Sequence, residues 1–199
     1  ARANGAAWGV DTTYWAATGG HLEMLQWARA EGCPWNFAAC WAAVMNGNLA
    51  MLEWMVDQGC DWPSCPDEIA ARAGHLHILQ WMHANGHQWD NSRVCREAAR
   101  RGHLSVVQWA QANGYQWDSS TCYEAAKTGH LDIVEWARAN GCDWDIDTCS
   151  GAAGRGHLEV LKWARRNGCP WDSSVCAAAA SGGHLEVLKW ARCNGCPWD

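Results

Sequence analysis

The chain restates itself every 27 residues. An eight-residue block reads GHLEMLQW from Gly20, GNLAMLEW from Gly47, GHLHILQW from Gly74 and GHLSVVQW from Gly102, then GHLDIVEW from Gly129 and GHLEVLKW from Gly156 and Gly183. One step is 28 residues, and its extra residue falls between Trp89 and Cys95. A second signature follows each block: EGCPWN, QGCDWP, NGHQWD, NGYQWD, NGCDWD and twice NGCPWD. A fixed period of this length predicts an array in which each unit buries its apolar face against its neighbours. Residues 1–9 read as the tail of an earlier unit, and seven whole units fill 10–199. The expectation is one array over 1–199, cut from a longer one.

The skewed composition follows from that period. The 199 residues include 17 Trp and 12 Cys but one Phe and three Tyr, so a few positions recur many times. The net charge is −6, with no basic block over the chain, which argues against nucleic acid as a partner. No run approaches the roughly 18 apolar residues of a membrane helix, and no leader peptide is visible.

Each unit reads as two short helices. In the unit from Asp118, Asp118, Ser119 and Ser120 are N-cap types. Helix A is expected over about Ser120–Lys127, with Cys122, Ala125 and Ala126 on one face. Thr128-Gly129 is the turn. Helix B is expected over about His130–Ala139, with an apolar stripe of Leu131, Ile133, Val134, Trp136 and Ala137. Asn140-Gly141 supplies a left-handed stop. Helices this short are marginal alone, so they must stack.

Two Trp columns are expected to form the core of the stack. One is Trp27, Trp54, Trp81, Trp109, Trp136, Trp163 and Trp190 on helix B. The other is Trp8, Trp35, Trp62, Trp89, Trp117, Trp144, Trp171 and Trp198 in the loop. A buried Trp removes about 150–250 Å² from water, roughly 4–6 kcal/mol gross at about 25 cal/mol per Å².

The block and signature GHLEVLKW…NGCPWD resemble the ankyrin repeat, whose usual form is GHLEVVKLLL…GADVN. Trp163 takes a Leu or Val place, Cys169 the Ala and Trp171 the Val; SSTCYEAAKTGH from Ser119 looks like TPLHLAAENGH. The unit is about six residues shorter than the family's usual length, TPLH itself is absent, and Arg138 and Arg165 stand where an apolar residue is usual. The short Trp-rich form is similar to repeats of giant DNA viruses and protists. The resemblance implies an all-α helical-hairpin solenoid without the projecting β-hairpin fingers, which binds proteins and is not an enzyme. In such proteins a further domain such as an F-box sometimes follows.

No residue pattern points to chemistry. His21, His75, His103, His130, His157 and His184 open helix B, but Asn48 replaces the second. Asn neither titrates nor ligates transition metals well, so the shared property is hydrogen bonding, to loop backbone or the adjacent unit. His77, His83 and His87 crowd the third unit without a catalytic motif. Cys33, Cys60, Cys142, Cys169 and Cys196 form one column, and Cys40, Cys95, Cys122, Cys149 and Cys176 another. Ala6, His87 and Tyr115 interrupt the first; Thr13 and Asp67 interrupt the second. Members are lost singly, which fits small buried thiols in a reducing compartment, the cytoplasm, rather than a disulfide framework. Cys193-x-x-Cys196 lies at a helix end, without the second pair a zinc site needs. Asp118, Asp145 and Asp172 are capping residues. No phosphate loop, nucleophile elbow or HExxH occurs; no metal or cofactor is expected.

The residues that vary between units mark the partner surface. They lie one, two, five and six positions beyond the helix A column: Tyr14, Trp15, Trp41 and Met45 early, Arg96, Arg100, Arg101, Tyr123 and Lys127 in the middle, Arg155 later. A protein is expected to bind along this face. Trp15 and Trp41 are its anchors, unless they fill core gaps. The alternative function is a structural subunit that associates end to end. An RNA reading rests only on Arg93 to Arg101, against an acidic chain.

Overall fold

The computed structural model describes residues 8–87 and 93–198. Contacts divide the chain into two units, Ala1–Trp89 and Asp90–Asp199. The division falls at the 28-residue step. That extra residue, Trp89 and Ala6 lie outside the described residues.

Every described element is an α-helix of eight to ten residues, and no strand forms among the described residues. Unit 1 holds three helical hairpins: α1 (Val10–Thr18) with α2 (Leu22–Ala30), α3 (Phe37–Met45) with α4 (Leu49–Asp57), and α5 (Pro66–Ala73) with α6 (Leu76–Ala84). Unit 2 holds four: α7 (Val94–Arg101) with α8 (Leu104–Ala112), α9 (Ser119–Thr128) with α10 (Leu131–Ala139), α11 (Ile146–Gly154) with α12 (Leu158–Arg166), and α13 (Ser173–Ser181) with α14 (Leu185–Cys193). The first helix of each hairpin is the A helix, the second the B helix.

Within each unit the A helices pack closely on one another, whereas the B helices of unit 2 touch only sparsely. Side-chain size explains the difference. The buried A residues are small, as in Cys122, Ala125 and Ala126 or Cys149, Ala152 and Ala153, while the B helices bury Met51, Leu52, Ile78, Leu79, Ile133 and Leu161.

The fully buried core is therefore built from Ala, Cys, Val, Ile, Leu and Met, and indoles such as Trp117, Trp136 and Trp144 pack against it half-buried rather than within it. No described Trp is buried; Trp27 and Trp198 are more than half exposed, and the others of both columns are half-buried. The indoles line an edge instead. Among the described residues six loop Trp meet the Trp of the next B helix, as in Trp35–Trp54 (5.6 Å between ring centroids), Trp117–Trp136 (5.5 Å) and Trp144–Trp163 (5.8 Å), mostly edge to face. A ring too large for the gap between two Ala-faced A helices stays at the rim, where its edge seals the next hairpin.

Local chemistry fixes each hairpin. Asn36, Asp118, Asp145 and Asp172 cap A helices, their side chains accepting from Ala38, Ser120, Asp147 and Ser174 N–H at 2.9–3.1 Å. Unit 1 departs from this at Cys65, which precedes α5 with φ 51° and offers no cap. The turn from A to B needs glycine twice over. Gly129 has φ 86°, and a Cβ there would stand 2.6 Å from the His157 ring of the following hairpin. The same crowding occurs at Gly47 with His75, Gly102 with His130 and Gly156 with His184.

Two of those imidazoles bond the preceding hairpin. His75 Nε2 donates to the Met45 carbonyl at 2.9 Å. The His157 ring is hydrogen-bonded to the Lys127 backbone, the same thirty-residue relation. Where Asn48 replaces the His, two residues divide its work. Asn48 caps its own helix through Met51 N–H, and Asn46 Nδ2 reaches back to the Thr18 carbonyl at 2.8 Å.

Candidate protein-binding surface

The repeat sorts the residues beyond each A-helix column into two rows. Position two of the register is a packing row. A Cβ on Gly151 would meet the Tyr123 ring and Lys127 Cβ of the preceding A helix, and Ala178 lies against Gly154 in the same way. Ala42, Ile69 and Glu97 in this row are buried. Trp15 occupies it too, yet is 65% exposed and meets Tyr14 edge to face at 5.0 Å. It therefore stands on the side from which a hairpin packs in later units.

Positions one, five and six form the outer row, whose residues are half-buried or exposed. In unit 1 it carries Tyr14, Trp41 and Met45, all half-buried. Phe37, one turn before Trp41 on α3, is 55% exposed. Phe37, Trp41, Pro63, Cys65, Ile69 and Arg72 line a recess of about 350 Å³ between α3 and the start of α5. Sequence reading missed Phe37 because only variation at four register positions was followed; the lone Phe of the chain, at the first turn of an A helix, was the available signal.

In unit 2 the outer row is cationic. Arg101 and Arg155 are exposed, and Arg100 is half exposed with its Nε 3.9 Å from Glu124. Arg96 lies 3.9 Å from Glu97, and the Lys127 ammonium sits 5.0 Å from the Tyr123 ring centroid. Glu97 is buried and Glu124 nearly so, which leaves the cations outermost.

The other repeated polar groups have packing duties. Arg29, Arg138, Arg165 and Arg192 each donate to the carbonyl of the Cys four residues on and lie 4.2–4.6 Å over the next loop Trp. That explains a cation where the resemblance places an apolar residue. It closes the end of the B helix, whose carbonyls favour positive charge. All twelve cysteines are free thiols, and only Cys65 and Cys193 are exposed. Cys142, Cys169 and Cys196 donate to the carbonyls of Asp118, Asp145 and Asp172 at 3.2–3.4 Å, tying each hairpin to its own cap. Burial pushes the Cys40 and Cys95 thiols up to about 12 and Cys60 to about 11. Cys122 is raised chiefly by its hydrogen bond to Cys142. No group of three or more His, Cys, Asp or Glu converges as a metal site among the described residues.

Residues 68–111 match the family described as ankyrin repeats (many copies). The stacked helical hairpins are ankyrin-like in fold. Among solved structures it is similar to the human ASB11 ankyrin repeat domain, at a TM-score of 0.66 and 19% identity over 79% of this chain and 84% of that one. No curated protein matches it. Edge indoles and Arg caps fasten the helical hairpins of this fold.

Proposed function

We propose that this protein is a non-enzymatic interaction scaffold that presents the outer row of its A helices to a partner protein. Ankyrin repeats are in general protein-interaction modules, and one observation carries the reading to this row. Thiols, imidazoles, Arg caps and indoles each serve the packing of the repeat, whereas Tyr14, Trp41, Arg96, Arg101 and Arg155 change from unit to unit, the first three half-buried and the last two exposed. Variation without a packing role, on a rigid scaffold, is the mark of a recognition surface. No small-molecule substrate or cofactor is needed for such a role. The twelve free thiols support a reducing compartment, the cytoplasm, and no helix among the described residues is long and apolar enough to cross a membrane.

The test is affinity capture from source cells with the full chain against Trp41→Ala and the double variant Arg101→Glu/Arg155→Glu. Each variant should lose its principal partner while its helical circular dichroism is unchanged. Partner recovery equal to the parent chain would refute the reading. A second reading, self-association through unpaired hairpin faces, is favoured by the exposed Trp15, Met24, Trp27 and Leu185. Light scattering over a concentration series distinguishes it, since a scaffold for another protein stays monomeric.

A further inference from the structure

The outer row of unit 2 segregates charge by depth. The unit as a whole carries 12 Lys and Arg against 13 Asp and Glu, so it is close to neutral. On the A helices, however, Arg101 and Arg155 project with no hydrogen bond or ion pair among the described residues, while the carboxylates Glu97 and Glu124 are sunk beneath Arg96 and Arg100. Cations at the surface over buried acids present one sign to a ligand.

The spacing of these cations is set by helix packing. Neighbouring helices in close contact lie about 8–10 Å apart, and an extended chain advances about 3.3 Å per residue. One hairpin therefore spans about three residues of an extended segment laid across the A helices. Arg101 and Arg155 hold the same register position two hairpins apart, and Lys127, one position earlier in the hairpin between them, lies half-buried with its ammonium over the Tyr123 ring. Beside Lys127 and Arg155 the neighbouring half-buried residues are small: Ser150, Gly151 and Gly154.

We propose that this row receives an extended acidic polypeptide segment with carboxylates at three-residue intervals. The inference rests on the outer-row reading above and specifies its partner. A protein segment fits better than a long polyanion, because the rest of unit 2, with most of its acids outside this row, repels a strand that continues beyond it.

The test uses the full chain and fluorescein-labelled peptides, read by anisotropy. The probe repeats Glu-Ser-Gly; one control has the same composition with its Glu residues contiguous, a second replaces Glu with Lys, and a third ligand is single-stranded oligouridylate. The spaced peptide should bind about tenfold more tightly than the clustered one, about 1.4 kcal/mol. It should weaken as salt rises from about 50 to about 500 mM. Arg101→Gln/Arg155→Gln should erase the preference without lowering the melting midpoint; Lys127→Gln, in the middle, should reduce it. Equal binding of spaced and clustered peptides, no binding, or tighter binding of the RNA would overturn the proposal. If the acidic register fails while the outer-row variants still lose their cellular partner, the scaffold reading stands alone; if both fail, both fall.

Discussion

Replacing Gly129 by Ala should destabilise unit 2 more than the same change at Gly141, although the two backbones are nearly identical. Gly129 has φ 86° and Gly141 has φ 84°, so each variant carries the same left-handed penalty of about 1 kcal/mol. They differ in what the new methyl meets. At Gly141 nothing lies within 4 Å, whereas at Gly129 the His157 Nδ1 and Cε1 stand 2.6 and 2.7 Å away. The methyl must evict the imidazole and break its bond to the Lys127 backbone. A lost hydrogen bond costs about 1 kcal/mol, and more if the carbonyl stays buried and unpaired. The expected losses are about 2–3 kcal/mol for Gly129→Ala and about 1 kcal/mol for Gly141→Ala. Urea unfolding followed by circular dichroism at fixed protein concentration measures both, and the double variant Gly129→Ala/His157→Ala isolates the ring. Removing the imidazole should bring the Gly129 penalty down to that at Gly141. Equal losses in the two single variants would refute the His-on-Gly contact as a fastening between hairpins.

Three further outcomes follow from the same geometry. Arg138→Met should cost about 1–2 kcal/mol by urea unfolding, because it removes both the bond to the Cys142 carbonyl and the stacking on Trp144; a neutral result would remove the cap from the account. A thiol reagent at mildly alkaline pH should titrate Cys65 and Cys193 rapidly and the ten buried thiols only on unfolding, since burial holds Cys40, Cys60 and Cys95 protonated; fast uptake of more than two equivalents would contradict the packing. Stability should fall below pH about 6.5. Burial depresses the His157 pKa, aided by the neighbouring His130, His184 and Arg155 charges, and the Lys127 backbone only partly opposes this. Its neutral form is therefore favoured in the fold, so its contribution is complete above the unfolded pKa and is lost as pH drops through the lower folded value. Urea midpoints at pH 7.5 and 5.5 check this, and His157→Asn should flatten the difference.

The hairpins, their turns and the Asp caps were legible because each depends on local chemistry: a capping oxygen, a left-handed glycine, a short apolar stripe. The predicted helix from Ser120 to Lys127 is observed as Ser119–Thr128. The role of the indoles was not legible. A fixed interval shows that a position recurs, not whether it points between helices or along their rim, and the A-helix faces of Ala and Cys leave no room for a ring between them. The expected hydrogen bonding of the His column is seen at His75 and His157, but the split of that duty between Asn48 and Asn46 depends on a tertiary contact to Thr18. In the candidate surface, Arg101 and Arg155 emerge as outward cations. Trp15 falls in the packing row, a distinction that needed the contact of Gly151 with Tyr123 to fix which register position faces a neighbour.

Site-specific photo-crosslinking tests the outer-row reading most directly. A benzophenone side chain placed at Ser150, on the outer row of α11, and one at Glu135, on the exposed side of α10, would each be irradiated in the full chain while it holds its captured partner. A covalent adduct from Ser150 and none from Glu135 is the expected result. Adducts from Glu135 alone would place recognition on the B helices and their indole edge and contradict the assignment.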